Sequence, residues 1–369
     1  DWSSDVCSSD LAKGDMDRLV MAWLDACEPS TRYILLRLLS GGVRTGVSSR
    51  VIKAGVAALS TTITVEQVEE VWHAVQPPYQ ALLDWAEGRG TRPETSGFPT
   101  FRPFMRGSTV RNPEPQAANL IAEYKWTGAR VQWVQAKGKV RLYSSQGDDL
   151  SAVFPDVTQP LSDDAVLDGQ LMVHRDGKPA TAEDLARRMR RKTVTAALLH
   201  DLPATVRFFD MLGHKGEDVR EFALVERRAR LEAFAHKNGL VLSPTLPLEN
   251  LASLHQRLGD IDGAEGLVLK LGDRAYTAGR TQDDWLKWPR EAVRFQAVLL
   301  YVQRASGGAS AALTEFTLGA VTDKDTDGNL IPIGKVSPGA LTPEELAQIN
   351  AYARENTLER FGPVRSIKA

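Results

Sequence analysis

Cysteine is nearly absent from this 369-residue chain: Cys7 and Cys27 are its only two, too few for a disulfide framework. No Cys/His cluster has the spacing of a zinc site, and a reducing, cytoplasmic compartment is expected. Long apolar runs are missing too. No stretch approaches the roughly 18 unbroken apolar residues of a membrane-spanning helix, so no membrane partner is expected. An excess of one charge is also lacking. The 45 Lys and Arg residues against 47 Asp and Glu leave a net charge of -2. A global positive field for nucleic acid is thereby excluded, and any such contact must come from local basic patches. Internal repeats and low-complexity runs do not occur. The chain opens on Asp1 rather than Met, and 1–10 has neither the basic start nor the apolar core of a signal peptide. That segment is read as a non-native scar.

What is present suits large folded cores. Hydrophobic residues make up 43% of the chain and charged residues 25%, and the length allows two or three domains at about 100–200 residues each. From 16 to 87 the pattern is helical. Ser30 can cap one helix and Gly41-Gly42 can end it, Thr64 and Gln67 form a capping-box pattern, and Pro77-Pro78 stops the run that follows. The stretch 88–103, rich in Gly, Pro, Thr and Arg, reads as a linker.

Beyond it the period becomes strand-like. The segment 122–143 holds two strand candidates joined through Ala136-Lys137-Gly138-Lys139, and 166–174, 205–212 and 266–271 are further strands. Helical patterns at 182–192, capped by Thr181, and at 220–237, closed by Asn238-Gly239, lie between them. Mixed strands and helices without strict alternation favour an α+β domain with antiparallel sheets over a doubly wound parallel sheet. From 295 onward, strands at 296–303, 314–321 and 330–335 precede a helix from Pro343 with Thr342 and Glu345 as its capping box. These begin a small β-barrel without enough strands to close it. The domain division expected is 11–90, 100–290 and 291–369.

The segment Glu123-Tyr124-Lys125-Trp126-Thr127-Gly128-Ala129-Arg130 carries the chemistry. A lysine attacks phosphorus only as a neutral amine, Gly128 lets backbone approach a nucleotide, and Arg130 offers a forked donor to phosphate. Four segments follow in order. Asp168-Gly169-Gln170-Leu171 is a polar cluster inside an apolar strand, and Phe208-Phe209-Asp210 offers a ring that could stack on a base. Glu265-Gly266-Leu267-Val268-Leu269-Lys270 has an acid and a base at its ends, and Trp285-Leu286-Lys287-Trp288 adds a lysine among aromatics.

Together these motifs resemble the covalent nucleotidyltransferase superfamily and, within it, bacterial ATP-dependent DNA ligases of the group linked to the cisplatin damage response. The resemblance runs over about 14–367. It includes Leu38-Leu39-Ser40-Gly41-Gly42-Val43-Arg44-Thr45-Gly46-Val47-Ser48, similar to a signature of the ligase DNA-binding domain, and the closing Thr357-Leu358-Glu359-Arg360-Phe361-Gly362-Pro363-Val364-Arg365-Ser366. It implies an α+β multidomain fold: a helical DNA-binding domain, a nucleotidyltransferase (adenylation) domain with antiparallel sheets and a partial OB-fold. ATP and Mg2+ are the implied cofactors, and nicked double-stranded DNA met by a monomer in repair or recombination is the implied partner.

By that resemblance Lys125 carries AMP, and Glu123 and Phe209 contact adenine. Arg130 lies on the phosphate or ribose side, with Gln170 where the family has a Glu. Glu265 assists the metal, and Lys270 and Lys287 face the α-phosphate. DNA contacts are expected from Arg187, Arg188, Arg190, Arg191 and Lys192, and from Arg44, Arg50 and Lys53 in the helical region.

Four positions depart from the family pattern. Thr127 stands for an Asp, Ser144-Ser145-Gln146-Gly147 lacks the arginine that follows the serine, Gln170 replaces a Glu, and Pro289 replaces the second lysine of Lys-x-Lys. The family's final basic motif also has no counterpart before Ala369, so slow self-adenylylation by this chain is expected. Loss of these charges favours a second reading, a degenerate homologue that binds DNA without sealing it. A third, RNA ligase or capping guanylyltransferase, is disfavoured by the helical region ahead of the core.

Overall fold

Thr64 starts a helix by the mechanism its pattern requires. Its hydroxyl accepts from the Gln67 N–H at 3.3 Å while Gln67 Oε1 accepts from the Thr64 N–H at 3.0 Å, satisfying two donors that a helix start leaves open. The computed structural model describes residues 13–39, 47–111, 113, 119–191, 193–281, 284–291, 295–303, 315–321, 330–336, 339 and 341–368. They divide into two units, Asp1–Arg290 and Glu291–Ala369.

The first unit begins with helices α1 (Lys13–Ala26), α2 (Pro29–Leu39), α3 (Ser49–Ala57), α4 (Val65–Trp72) and α5 (Gln80–Ala86). Val56, Val68, Val71, Leu82 and Ala86 form a core among the last three. Ser30 is not a cap as expected: Pro29 takes the first helical position, where its missing N–H costs nothing, and Ser30 falls inside the first turn. The Gly41-Gly42 stop lies outside the described residues. α4 already ends at Trp72, ahead of Pro77-Pro78. The expected linker has no helix or strand over 88–103, yet it is fixed in place. Phe101 buries itself against Phe104, Val134 and Tyr143, and the Tyr143 hydroxyl donates to the Pro99 carbonyl.

Glu70 ties α4 to the rest of the unit, accepting from Arg92 at 2.7 Å and from Arg220 at 2.6 Å. Burial raises its pKa, and the Arg220 and Arg92 guanidiniums outweigh burial and hold the carboxyl below the ordinary range. A depressed folded-state value stabilises the fold above the unfolded-state value and loses that contribution as pH falls through the folded one. Glu70→Gln should therefore cost about 2 kcal/mol at neutral pH, the scale of hydrogen bonds to charged groups. It should also flatten the loss of stability on acidification below the carboxylate range. Denaturant titrations of both proteins across pH check this; equal neutral stability would show that the bridge contributes nothing.

Short strands β1 (Met105–Arg106) and β2 (Ser108–Thr109) precede the main sheets. The segment 122–143 forms three strands rather than two: β3 (Leu120–Trp126), β4 (Ala129–Ala136) and β5 (Lys139–Ser144). The last two are joined as expected, through a two-residue turn with Lys137 at φ 47° and Gly138 at φ 73°. The unforeseen break at Thr127-Gly128 puts β3 and β4 into different sheets. After them come β6 (Ala165–Arg175), β7 (Lys178–Pro179), α6 (Ala182–Met189), α7 (Ala196–Asp201), β8 (Ala204–His214), β9 (Glu217–Asp218), α8 (Leu224–Asn238), β10 (Thr245–Leu246), α9 (Leu251–Gln256), β11 (Ala264–Leu271), β12 (Gly279–Arg280) and β13 (Trp285–Pro289). α6 keeps its expected cap, with Thr181 and Asp184 closing the box, and stops three residues short of 192. α8 starts four residues later than expected and ends at Gly239, φ 64°.

One sheet has the order β10-β3-β11-β13-β2, and the other β5-β4-β6-β8-β9 with β7 on β6. Most pairs are antiparallel; the short β1–β12 and β2–β13 pairs are parallel. Ala122, Trp126, Leu267 and Leu269 bury the back of the first sheet, and Val131, Trp133, Leu167, Leu171 and Phe208 the back of the second.

In the second unit, β14 (Val298–Gln303), β15 (Glu315–Val321) and β16 (Leu330–Val336) match expected strands, and α10 (Pro343–Glu355) has the Thr342–Glu345 capping box. Two further strands, β17 (Thr357–Phe361) and β18 (Val364–Ile367), turn back on each other at Gly362, φ 60°, completing the order β16-β15-β14-β18-β17. Val302, Phe316, Ala353 and Ile367 are its core.

Candidate active site

Strand register collects the first sheet's polar residues on one face. Gly266 of β11 lies opposite both Lys125 of β3 and Pro289 of β13; Val268 lies opposite Glu123 and Lys287; Lys270 lies opposite Ile121 and Trp285. Directly opposed residues share a face and alternate residues along a strand do too, so these nine positions make a three-by-three grid. The intervening residues face the core.

Glu265 breaks the grid. The register shifts between Ala264 and Gly266, and the extra residue is Glu265. A bulge of this kind re-aims a side chain, and here it brings Glu265 Oε2 to 2.5 Å from Lys125 Nζ. Burial raises the Glu265 pKa, and hydrogen bonds from Lys125 and Thr127 outweigh it and hold the carboxyl below its ordinary value. Gly266 gives this row its clearance: a Cβ there would meet the Trp288 carbonyl oxygen at 2.4 Å.

Glu123 and Lys270 are 3.1 Å apart and almost fully buried, with Arg228 3.5 Å from the same carboxylate oxygen. Both cations lie on Glu123 Oε1. Burial lowers the Lys270 pKa against the pull of Glu123. Its ammonium lies 4.4 Å from the Phe209 ring centre and 4.6 Å from that of Trp285, a cation held between two rings. Lys287 is half-buried, and its pKa is lowered by burial first and then by Arg130, Lys125, Arg106 and Arg280.

The second sheet presents Arg130 opposite Gln170, and Gln132 opposite Asp168, which in turn faces Asp210. Arg130 donates to Asp168 at 2.6 Å, to the Tyr276 hydroxyl at 3.0 Å and to the Met105 carbonyl at 2.5 Å. Its guanidinium also stacks 4.1 Å over Phe104. Most of its donors are thus taken, but Nε is buried with no partner among the described residues. An orphaned buried donor is costly, and an oxygen from a ligand would satisfy it. Phe209 is the extra residue of a second bulge, between Asp168 and Gly169, which turns its ring toward Lys270 and Trp285 and away from the core that Phe208 enters. Gln170 is half-buried on the same face as Arg130.

Between the sheets, Gly128 at φ 105° has its missing Cβ 2.1 Å from the Leu171 carbonyl oxygen. Gly128→Ala should therefore cost about 3 kcal/mol or more, through strain and collision together. A melting curve checks this, and an unchanged midpoint would contradict the close approach.

The DNA-contact expectations divide. Arg50, Arg187, Arg190 and Arg191 are exposed. Lys53 is not available: it is 2% exposed, 3.6 Å from Glu69 and 5.5 Å from the Trp72 ring centre. Arg188 is fully buried, bound by Asp156 and by the Val153 and Leu202 carbonyls. Both lie on buried helix faces, Lys53 with Val56 and Ala57, Arg188 with Leu185, a spacing of three or four that the sequence displays. Arg44 and Lys192 fall outside the described residues.

Among the described residues no three acidic, His or Cys side chains gather as a metal cage. Glu265 alone offers a carboxylate beside the lysine. Mg2+ is often bound through one or two carboxylates together with substrate phosphates, so the residues present fit it only in company with a nucleotide. Sequence reasoning missed Tyr276, Arg106 and Arg280, which lie beside the recognised motifs.

A lysine with an acid on its amine, further cations in its grid and an orphaned buried donor on Arg130 thus lie in one site. Residues 109–288 match the family described as ATP dependent DNA ligase domain. The chain is similar to a DNA ligase of Methanoculleus marisnigri, 29% identical over 90% of this chain and 60% of that protein. A probable DNA ligase of Streptomyces coelicolor is 29% identical over 88% of this chain and 65% of its own length. The solved mycobacterial DNA ligase D with ATP is 22% identical, covering 72% of this chain and 85% of that chain at a TM-score of 0.44. The chain thus spans about 60% of the length of the first of these relatives.

Proposed function

We propose that this chain is part of an ATP-dependent DNA ligase that seals nicks in duplex DNA through an AMP adduct on Lys125. The observation that supports it most is the Lys125–Glu265 contact of 2.5 Å within the ligase domain. Lys125 passes a proton to Glu265 and its Nζ attacks the α-phosphorus of ATP. A nitrogen–phosphorus bond forms as the phosphorus–oxygen bond to pyrophosphate breaks, and pyrophosphate departs with the electron pair. AMP then moves to the 5'-phosphate of a nick, and the 3'-hydroxyl displaces it. Lys287 and Lys270 offset phosphate charge, Phe209 stacks on the base, Arg130 Nε takes a ribose or phosphate oxygen, and Gln170 hydrogen-bonds without charge. Glu265 is the residue that would hold Mg2+, whose charge would offset that of the phosphates.

In this reading 11–90 clasps DNA, 100–290 carries adenylation and 291–369 is an OB-fold. Arg50, Arg187, Arg190 and Arg191 hold backbone phosphates, and a monomer works in DNA repair in the cytoplasm. No helix among the described residues is long and apolar enough to cross a membrane. The alternative, a homologue that binds nicks without sealing them, is favoured by the missing charges at Thr127, Ser145, Gln170 and Pro289. The test is sealing of a labelled nick bearing a 3'-hydroxyl and a 5'-phosphate with ATP and Mg2+. Product supports the ligase; tight nick binding with neither product nor AMP adduct supports the alternative.

A further inference from the structure

The turn Ser145-Gln146-Gly147 lacks the arginine its motif usually carries, yet three arginines reach it from elsewhere. A cavity of 570 Å3 is lined by Ser145 and Gln146 together with Arg50, Arg106 and Arg280. Arg106 and Arg280 are brought together by backbone pairing: they are direct neighbours in the parallel β1–β12 pair, and the Thr281 N–H donates to the Arg106 carbonyl at 3.1 Å. Gly107 fixes where that pair lies. Its missing Cβ would sit 2.5 Å from the Trp285 carbonyl oxygen, so the link from β1 to β2 runs tightly against the start of β13. The next residues, Ser108 and Thr109, pair with Leu286 and Lys287. Arg50 arrives from the first turn of α3, whose start Ser48 caps.

All three guanidiniums are exposed, and among the described residues none is in an ion pair or side-chain hydrogen bond. Two arginines side by side repel each other unless an anion lies between them, so the arrangement is most favourable when occupied. Acids also line the cavity, but they are engaged. Glu69 is paired with Lys53 at 3.6 Å, and Asp148 accepts from Ser144 Oγ at 3.3 Å; Glu66 sits in the first turn of α4, where the helix dipole favours it.

We propose that Arg50, Arg106 and Arg280 form a phosphate-binding cradle at the Ser145-Gln146 turn, supplying from three separate segments the cation that the turn lacks. It rests on the ligase reading for its ligand, a phosphate of a DNA strand or of a nucleotide. Arg106 on β1 and Arg280 on β12 hold that phosphate from the paired strands, and Arg50 closes it from the helical side. Arg106 and Arg280 are positioning residues, since neither touches Lys125.

The double variant Arg106→Ala/Arg280→Ala, with Arg106→Lys/Arg280→Lys as a charge-keeping control for folding, tests this by binding alone. Affinity is measured by fluorescence anisotropy for a nicked duplex with a 5'-phosphate and for the same duplex with a 5'-hydroxyl, each across salt, and displacement by inorganic tripolyphosphate is measured alongside. The alanine pair should weaken nick binding about tenfold and reduce the log–log salt slope by about 1–2, and the lysine pair should restore most of both. Loss confined to the 5'-phosphate nick assigns the cradle to the terminal phosphate; equal loss on both nicks assigns it to a backbone phosphate. Loss of tripolyphosphate displacement alone assigns it to the nucleotide. Unchanged behaviour in all three arms overturns the cradle. A wild-type chain that shows the arginine dependence but forms no AMP adduct would overturn the ligase chemistry instead, so the two failures are distinguishable.

Discussion

Lys125→Ala abolishes the AMP adduct, with a loss of at least about 10^4-fold, the scale on which removal of a nucleophile is felt. The loss should be chemical rather than structural. Lys125 is 33% exposed and Glu265 48%, and so exposed an ion pair contributes at most about 1 kcal/mol to stability. The melting temperature and the affinity for nicked duplex should therefore stay near wild type. Labelled ATP followed by quenching with EDTA and detergent and gel separation at neutral to alkaline pH reads the adduct, and circular dichroism reads the fold. An adduct that persists in Lys125→Ala would mean that another amine carries AMP. Lys270, fully buried against Glu123, and Lys287, in the row beside it, would then be the candidates.

The second large effect is a gain. Pro289 occupies the same grid row as Lys125, with only the small Gly266 between them, about 10 Å away by two interstrand spacings. A lysine there could extend over Gly266 to the phosphates without displacing any side chain. The backbone should tolerate the change: Pro289 is half-exposed at the end of β13, and its contact with His255 Nε2 at 2.8 Å is made by its backbone carbonyl, not its ring. Pro289→Lys together with Gln170→Glu should raise the rate of adenylylation about 10- to 100-fold, as one or two charge-assisted hydrogen bonds supply. Thr127→Asp should not add to it. The Thr127 hydroxyl hydrogen-bonds Glu265, so a carboxylate there would face another and draw Lys125 away from its proton acceptor. Single-turnover rates for the three variants check the pattern; a gain from Thr127→Asp with none from Pro289→Lys would show that the grid does not position the phosphates.

Much of this site could be read from the sequence because its motifs are local. Lys125, Lys270 and Lys287 lie in short strands whose alternation sets the face each takes, and Thr64, Thr181 and Thr342 announce their helices through side-chain chemistry three residues long. What was not legible depends on distant contacts. The break after Trp126 follows from the Leu171 carbonyl pressing on Gly128, and the aim of Glu265 and Phe209 from bulges set by partner strands. Nothing near Glu123 in sequence shows Lys270 and Arg228 closing on its Oε1. Arg106 and Arg280, 174 residues apart by number, meet only through a parallel pairing of two-residue strands. Lys53 and Arg188 are a different kind of miss. Their buried neighbours at helical spacing were visible, and the charge alone suggested a surface.

The most direct test of the central claim is intact-mass spectrometry of the chain after prolonged incubation with ATP and Mg2+, followed by peptide mapping. The expected result is a single AMP on Lys125, stable to alkali and released by acid as a nitrogen–phosphorus bond requires, and absent from Lys125→Ala. An unmodified chain that nonetheless binds nicked duplex, or AMP found on another residue, would contradict it.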